Sequence, residues 1–126
     1  MDTNKEFHSF NTFYAHKYGI VGAILIQNFI HWILVNKRLN RNFHDGRWWT
    51  YQTIDEIAAI FNYLSKDQVK RTLEYLSKEN VLVKGNYNKT KFDRTVWYAF
   101  VNEEEFLICE NRQMEKAESP HLYQIL

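Results

Sequence analysis

The chain has one cysteine, one proline and four glycines in 126 residues. A lone Cys109 excludes an internal disulfide and suits a reducing compartment. So little Pro and Gly excludes collagen-like, linker-like and low-complexity architectures, and no internal repeat is visible. There is no excess of either charge: sixteen basic residues stand against fifteen acidic ones, a net of +1. Nor does any apolar run reach the roughly 20 residues of a bilayer crossing. Residues 20–35 come nearest, but Gln27, Asn28 and His31 interrupt them, which fits a buried core helix better. The first eighteen residues mix charges, histidines and aromatics and lack a secretory apolar block. The expected compartment is therefore the cytoplasm, with no membrane partner. What the chain has in quantity is aromatic rings, 17% of residues, enough to dominate a core. Its length suits one domain able to bury a core without a staple.

Chemistry-bearing motifs are equally scarce. His8, His16, His31, His44 and His121 show no metal-ligand spacing, and Cys109 has no second Cys. The glycine-rich phosphate loops and the G-x-S-x-G elbow are absent. Cys109 follows Phe106-Leu107-Ile108 and reads as a packed thiol. Glu103 to Glu105 read as acids at the positive end of a helix rather than as a catalytic pair. The expectation is a protein that is not an enzyme and takes no metal or cofactor.

Along the chain, Phe7, Phe10, Phe13 and Tyr14 recur at helical spacing, predicting a short helix that ends near Gly19. A long helix over 20–37 follows, then turn signals that culminate in Asp45-Gly46. Arg47 to Tyr51 reads as one aromatic strand. Thr53-Ile54-Asp55-Glu56 and Ser65-Lys66-Asp67-Gln68 are capping boxes. The first opens a helix of about two turns. The second opens a helix to about residue 79, with Val69, Leu73 and Leu76 inward. Two capped helices across a short turn make a helix-turn-helix candidate. Asn80 stands at the left-handed C′ position, and strands follow at 81–83 and 95–101 with a basic loop between. The fold class is α+β, mainly helical: a winged helix-turn-helix with an extra N-terminal helix and a C-terminal helical extension. Residues 1–101 form the winged-helix domain. Residues 102–126 form the acidic extension and tail, with Pro120 breaking any continuing helix.

The neutral total hides a division. Residues 65–94 hold eight basic side chains against four acids, a net of +4, and residues 102–118 hold six acids against two bases, a net of −4. Fields reach only about 8 Å at physiological salt, so local charge decides what a surface binds. Lys66, Lys70 and Arg71 sit near the leading half of the second capped helix, where a recognition helix carries long donors. Arg71 can present a fork to guanine, Lys66 and Lys70 suit phosphate, and Gln68 is an adenine reader unless its cap consumes it. Tyr75 could reach phosphate or pack under the wing. Lys89, Lys91 and Arg94, with Asn86 and Asn88, occupy the loop, and Asp93 is expected to pair with Arg94 or cap the turn. Both groups of cations also have a plain reading, as a solvated helix face and a solvated hairpin.

Four segments resemble the winged-helix domain of replication proteins from phages, plasmids and other mobile elements, including replisome organisers and primosomal helicase loaders. They are Ala23-Ile24-Leu25-Ile26-Gln27 leading to His31-Trp32; Asp45 through Thr53; Leu64-Ser65 with Val69-Lys70-Arg71, Leu73 and Leu76; and Gly85 to Lys89 with Asp93-Arg94-Thr95 and Trp97-Tyr98. The resemblance covers about two thirds of the chain, in order, and implies a DNA-binding winged helix, often at an origin. It carries over no single base-reading residue. Asn80 departs from the Gly usual there, and the chain ends at Leu126 without the further domain such organisers use. The partners it suggests are duplex DNA, a second copy of the chain, and a replication or host protein. The alternatives are a protein-contact module with Trp48, Tyr63 or Tyr87 exposed as anchors, and a small transcriptional regulator. The segment 102–112 is expected to pack on the 20–37 helix or on a second subunit.

Overall fold

The computed structural model describes residues 6–108. The first helix, α1, spans Thr12–Arg38, with Asn11 capping it by accepting from the Phe13 amide. It therefore begins later than the spacing of Phe7 and Phe10 suggests, and both of those rings precede it. Gly19, at φ 84° and ψ 163°, breaks the helix internally at the residue where a helix end was expected. Only glycine adopts that conformation without steric cost. Beyond the break, Leu25, Ile26, Phe29 and Ile33 are fully buried, and burial of each such side chain is worth about 1.5–3 kcal/mol. Ile20, next to the break, is exposed. By length and composition α1 could cross a membrane, but half of its most apolar stretch is buried inside the fold, as in a core helix.

The 47–51 strand divides in two. β1 (Phe43–His44) pairs antiparallel with β2 (Arg47–Trp48), and β3 (Thr50–Tyr51) joins a different sheet. Asp45 and Gly46 both take positive φ, as a tight hairpin turn requires. The switch occurs at Trp49. Its amide donates to the Asn42 carbonyl, its own carbonyl accepts from Asn36 Nδ2, and its indole donates to the His44 carbonyl.

Both capping boxes form with reciprocal bonds of 2.8–3.0 Å, opening α2 (Ile54–Ile60) at Thr53 and α3 (Lys66–Lys78) at Ser65. Val69, Leu73 and Leu76 are the buried stripe of α3. Asn80 closes it at φ 60°, and the Val81 amide returns to the Leu76 carbonyl. β4 (Leu82–Gly85) and β5 (Trp97–Phe100) complete a three-stranded antiparallel sheet in the order β3-β5-β4, with Thr50 opposite Tyr98 and Leu82 opposite Phe100. The fold is thus α+β and mainly helical.

After β5 the chain forms a π-helical turn, Glu104–Ile108. Phe106 stacks on Phe100 at 4.5 Å and on Tyr14 at 5.1 Å, so this segment covers the first turn of α1 and the central strand. Glu103 accepts from the Trp48 amide at 2.7 Å, and the Tyr14 hydroxyl donates to Glu105. Two of the acids in the segment therefore serve packing. The expected Cys109 thiol, the rest of the acidic extension and the Pro120 break lie outside the described residues.

Candidate nucleic-acid interface

The exposed side of α3 carries both signs of charge. Arg71 lies opposite the Val69–Leu73–Leu76 stripe, and its guanidinium meets Asp67 at 2.9 Å one turn back. Lys66 reaches across to Asp55 of α2 at 3.1 Å. Both pairs are largely solvent-exposed, so each is worth roughly 0.2–1 kcal/mol and yields readily to a phosphate. Lys70 is exposed with no ion pair among the described residues. Gln68 is consumed as its position implies: Oε1 accepts from the Ser65 amide, which leaves only Nε2 to contact anything else. Tyr75, with Gln68, Arg71 and Thr72, lines an open groove of about 340 Å³ whose other wall is Tyr18 to Gly22. It thus stands beside the α1 break and not beneath the 85–95 loop.

In that loop one side chain, Asn88, makes the most hydrogen bonds. Asn88 Nδ2 donates to the carbonyls of Asp93 and Thr95 at 3.0 and 2.8 Å, and its Oδ1 accepts from the Trp97 indole at 2.8 Å. The Asn88 amide in turn donates to Asn86 Oδ1. Asn86 and Asn88, read from the sequence as loop polar groups, are therefore structural. Asp93 caps the turn by accepting from the Thr95 amide and forms no ion pair with Arg94. This bond, from backbone and then side chain of Thr95, holds the Asp93 carboxyl below its ordinary value.

Lys89, Lys91 and Arg94 are exposed and free of ion pairs among the described residues. Arg94 borders a shallow hollow of about 450 Å³ with Gln52, Thr53 and Asp55. Asp55 therefore stands near a cation from α3, Lys66, and one from the loop, Arg94. No hydrogen bond or ion pair joins the remaining α3 cations to Lys89 and Lys91 among the described residues.

An aromatic cluster anchors the base of the loop. Tyr87 stacks on His44 at 4.3 Å, meets Trp49 and Trp97 edge-on, and donates its hydroxyl to Asp45. That hydrogen bond, followed by partial burial and the Asp45 charge, raises the Tyr87 phenol above its ordinary value. Trp49, Trp97 and Ala99 form a second small core here, with Val83 and Tyr87 against it. Tyr87 and Trp48 are thus half-buried and are not free anchors. Tyr63 is exposed, but its hydroxyl bonds His8 Nδ1 at 2.9 Å, pinning the N-terminal segment across the α2–α3 turn. Burial raises the phenol of Tyr98, with the charge of Glu74 on α3 adding to it.

One exposed residue escaped the reading by charge. Phe92, in the middle of the basic loop, is 94% exposed. Its signal was available: it is a lone apolar residue within Asn88-Lys89-Thr90-Lys91-Phe92-Asp93-Arg94. Among the described residues no group of three His, Cys, Asp or Glu side chains could hold a metal ion. Comparison with protein-family models, curated proteins and solved structures finds no match to this chain.

Proposed function

We propose that this chain is a non-catalytic winged-helix DNA-binding protein acting in replication initiation of a phage or mobile element. In this reading α3 enters the major groove, and residues 85–95 form a wing on the phosphate backbone or in the minor groove. The observation that carries it is the element order: a strand, two capped helices, then a hairpin whose second strand pairs with both others. That order sets a helix whose leading-half cation, Lys70, has no ion pair among the described residues next in the chain to a hairpin bearing three more such cations. The link to replication rests on the sequence resemblance alone. Arg71 is the residue suited to base reading, since a surface pair with Asp67 is easily exchanged for a guanine edge.

A protein-contact role is the second reading, favoured by the exposure of Phe13 and Ile20 on α1. Selection from random duplex DNA followed by anisotropy titration separates the two. Enrichment of a defined site, lost in Arg71→Ala by roughly 1–3 kcal/mol, is the expected result. No binding to any duplex or single-stranded DNA at 50 mM salt and micromolar protein would remove the DNA reading.

A further inference from the structure

Phe92 has no packing role to account for it. Its ring makes no aromatic contact and belongs to neither hydrophobic cluster. Yet the turn that displays it is fixed. The Asp93 amide donates to Thr90 Oγ1, Asp93 caps Thr95, and Asn88 clamps both ends of the turn to buried Trp97. An aromatic side chain on a pre-ordered turn has only two torsions to freeze on binding, so it contributes area at low entropic cost. Its chain neighbours Thr90, Lys91, Asp93 and Arg94 are polar or charged, so the turn itself offers no second apolar side chain beside it. Among the described residues Lys89, Lys91 and Arg94 have no ion pair, and the acid of this turn, Asp93, is held on the Thr95 amide.

A lone aromatic ring among free cations matches a π-face flanked by phosphates. Base–aromatic stacking next to a basic track is how single strands are held, and apolar wedges entering a base step are how duplexes are kinked. We propose that Phe92 is a base-stacking residue, taking the face of a nucleobase while Lys89 and Lys91 contact the adjoining phosphates. This rests on the DNA-binding reading above and adds a contact that reading does not require.

The test compares the full chain with Phe92→Ala and Phe92→Trp on three DNAs: an intact duplex, the same duplex ending in a single-stranded fork, and the single strand. Circular dichroism should be the same for all three proteins, because the ring is solvent-exposed. Phe92→Ala should lower affinity roughly 5- to 100-fold on at least one of the DNAs, with the salt dependence unchanged. Phe92→Trp should retain it, since a larger ring still stacks. A loss on the intact duplex assigns a wedge between base pairs, and a loss confined to the fork or single strand assigns an unpaired base. If the parent binds DNA and Phe92→Ala stays within twofold on all three, the stacking role is wrong and DNA binding stands. If the parent binds none of them, both fall together.

Discussion

Asn88 carries more of the loop than any cation in it, and its removal has a calculable effect. Truncation to Ala deletes two donated bonds and one accepted bond. The carbonyl of Asp93, in an exposed residue, regains water, so that loss is near the low end of about 0.5–1.5 kcal/mol. The Thr95 carbonyl is less accessible and falls nearer the middle of the same range. The Trp97 indole N–H is the costly group, because Trp97 is only 6% exposed and a buried donor without a partner costs about 1–3 kcal/mol. Asn88→Ala should therefore destabilise the fold by about 2.5–4.5 kcal/mol, a large part of the roughly 5–15 kcal/mol typical of a domain. Urea unfolding followed at 222 nm measures it directly. Asn86→Ala, which loses a single exposed bond from the Asn88 amide, is the control and should cost under about 1 kcal/mol. A shift below about 0.5 kcal/mol for Asn88→Ala would refute the assignment of this side chain as the clamp. If the chain binds DNA as proposed, its affinity should fall as well, since a loosened loop must be ordered on binding.

Three further outcomes follow from the packing and the titrating groups. A Cβ on Gly85 would meet the Trp49 ring at 2.7 and 2.8 Å, so Gly85→Ala should cost about 1–3 kcal/mol in urea unfolding; a neutral result would contradict that close approach. Phe106→Ala removes a ring held between Phe100 and Tyr14 and should cost about 3–5 kcal/mol; a cost under 1 kcal/mol would mean that the turn after β5 does not cover the core. Asp93 has a folded pKa lowered by the Thr95 bond, so its contribution is present above the ordinary carboxylate value of about 3.9 and is lost as pH falls through the lower folded value. The Thr95 amide resonance should report that midpoint below 3.9, and Asp93→Asn should abolish the transition; a midpoint at or above about 4 would contradict the cap.

What could be read in the sequence is what nearby residues decide. Both capping boxes, the left-handed Asn80, the Asp45-Gly46 turn and the break at Gly19 depend on side chains within a few positions of each other. Trp49 was not legible, because its change of sheet depends on Asn36 and Asn42 and on pairing with a strand some fifty residues away. The false start at Phe7 has a local cause: Asn11 offers its side chain to the Phe13 amide and starts the helix there. At the candidate interface, Lys70, Lys89 and Lys91 have no ion pair among the described residues, and Gln68 is engaged by its cap. The Lys66–Asp55 pair links two helices and needed tertiary structure to see. The Arg71–Asp67 pair sits at i, i+4 and could have been anticipated from spacing. In the 85–95 loop, charge alone reveals neither Asn88, whose work is internal, nor Phe92, whose exposure is the unusual fact.

The measurement that tests the central claim most directly is the salt dependence of duplex binding for the full chain and two single variants. Lys70, Lys89, Lys91 and Arg94, with Lys66 or Arg71 released from its surface pair, would neutralise about five phosphates, so log K should fall against log[salt] with a slope of about −4.5. Lys70→Ala and Lys89→Ala should each make that slope shallower by about one unit, one substitution testing α3 and the other the 85–95 loop. A slope near zero, or slopes unchanged by both substitutions, would contradict a DNA interface built from these two elements.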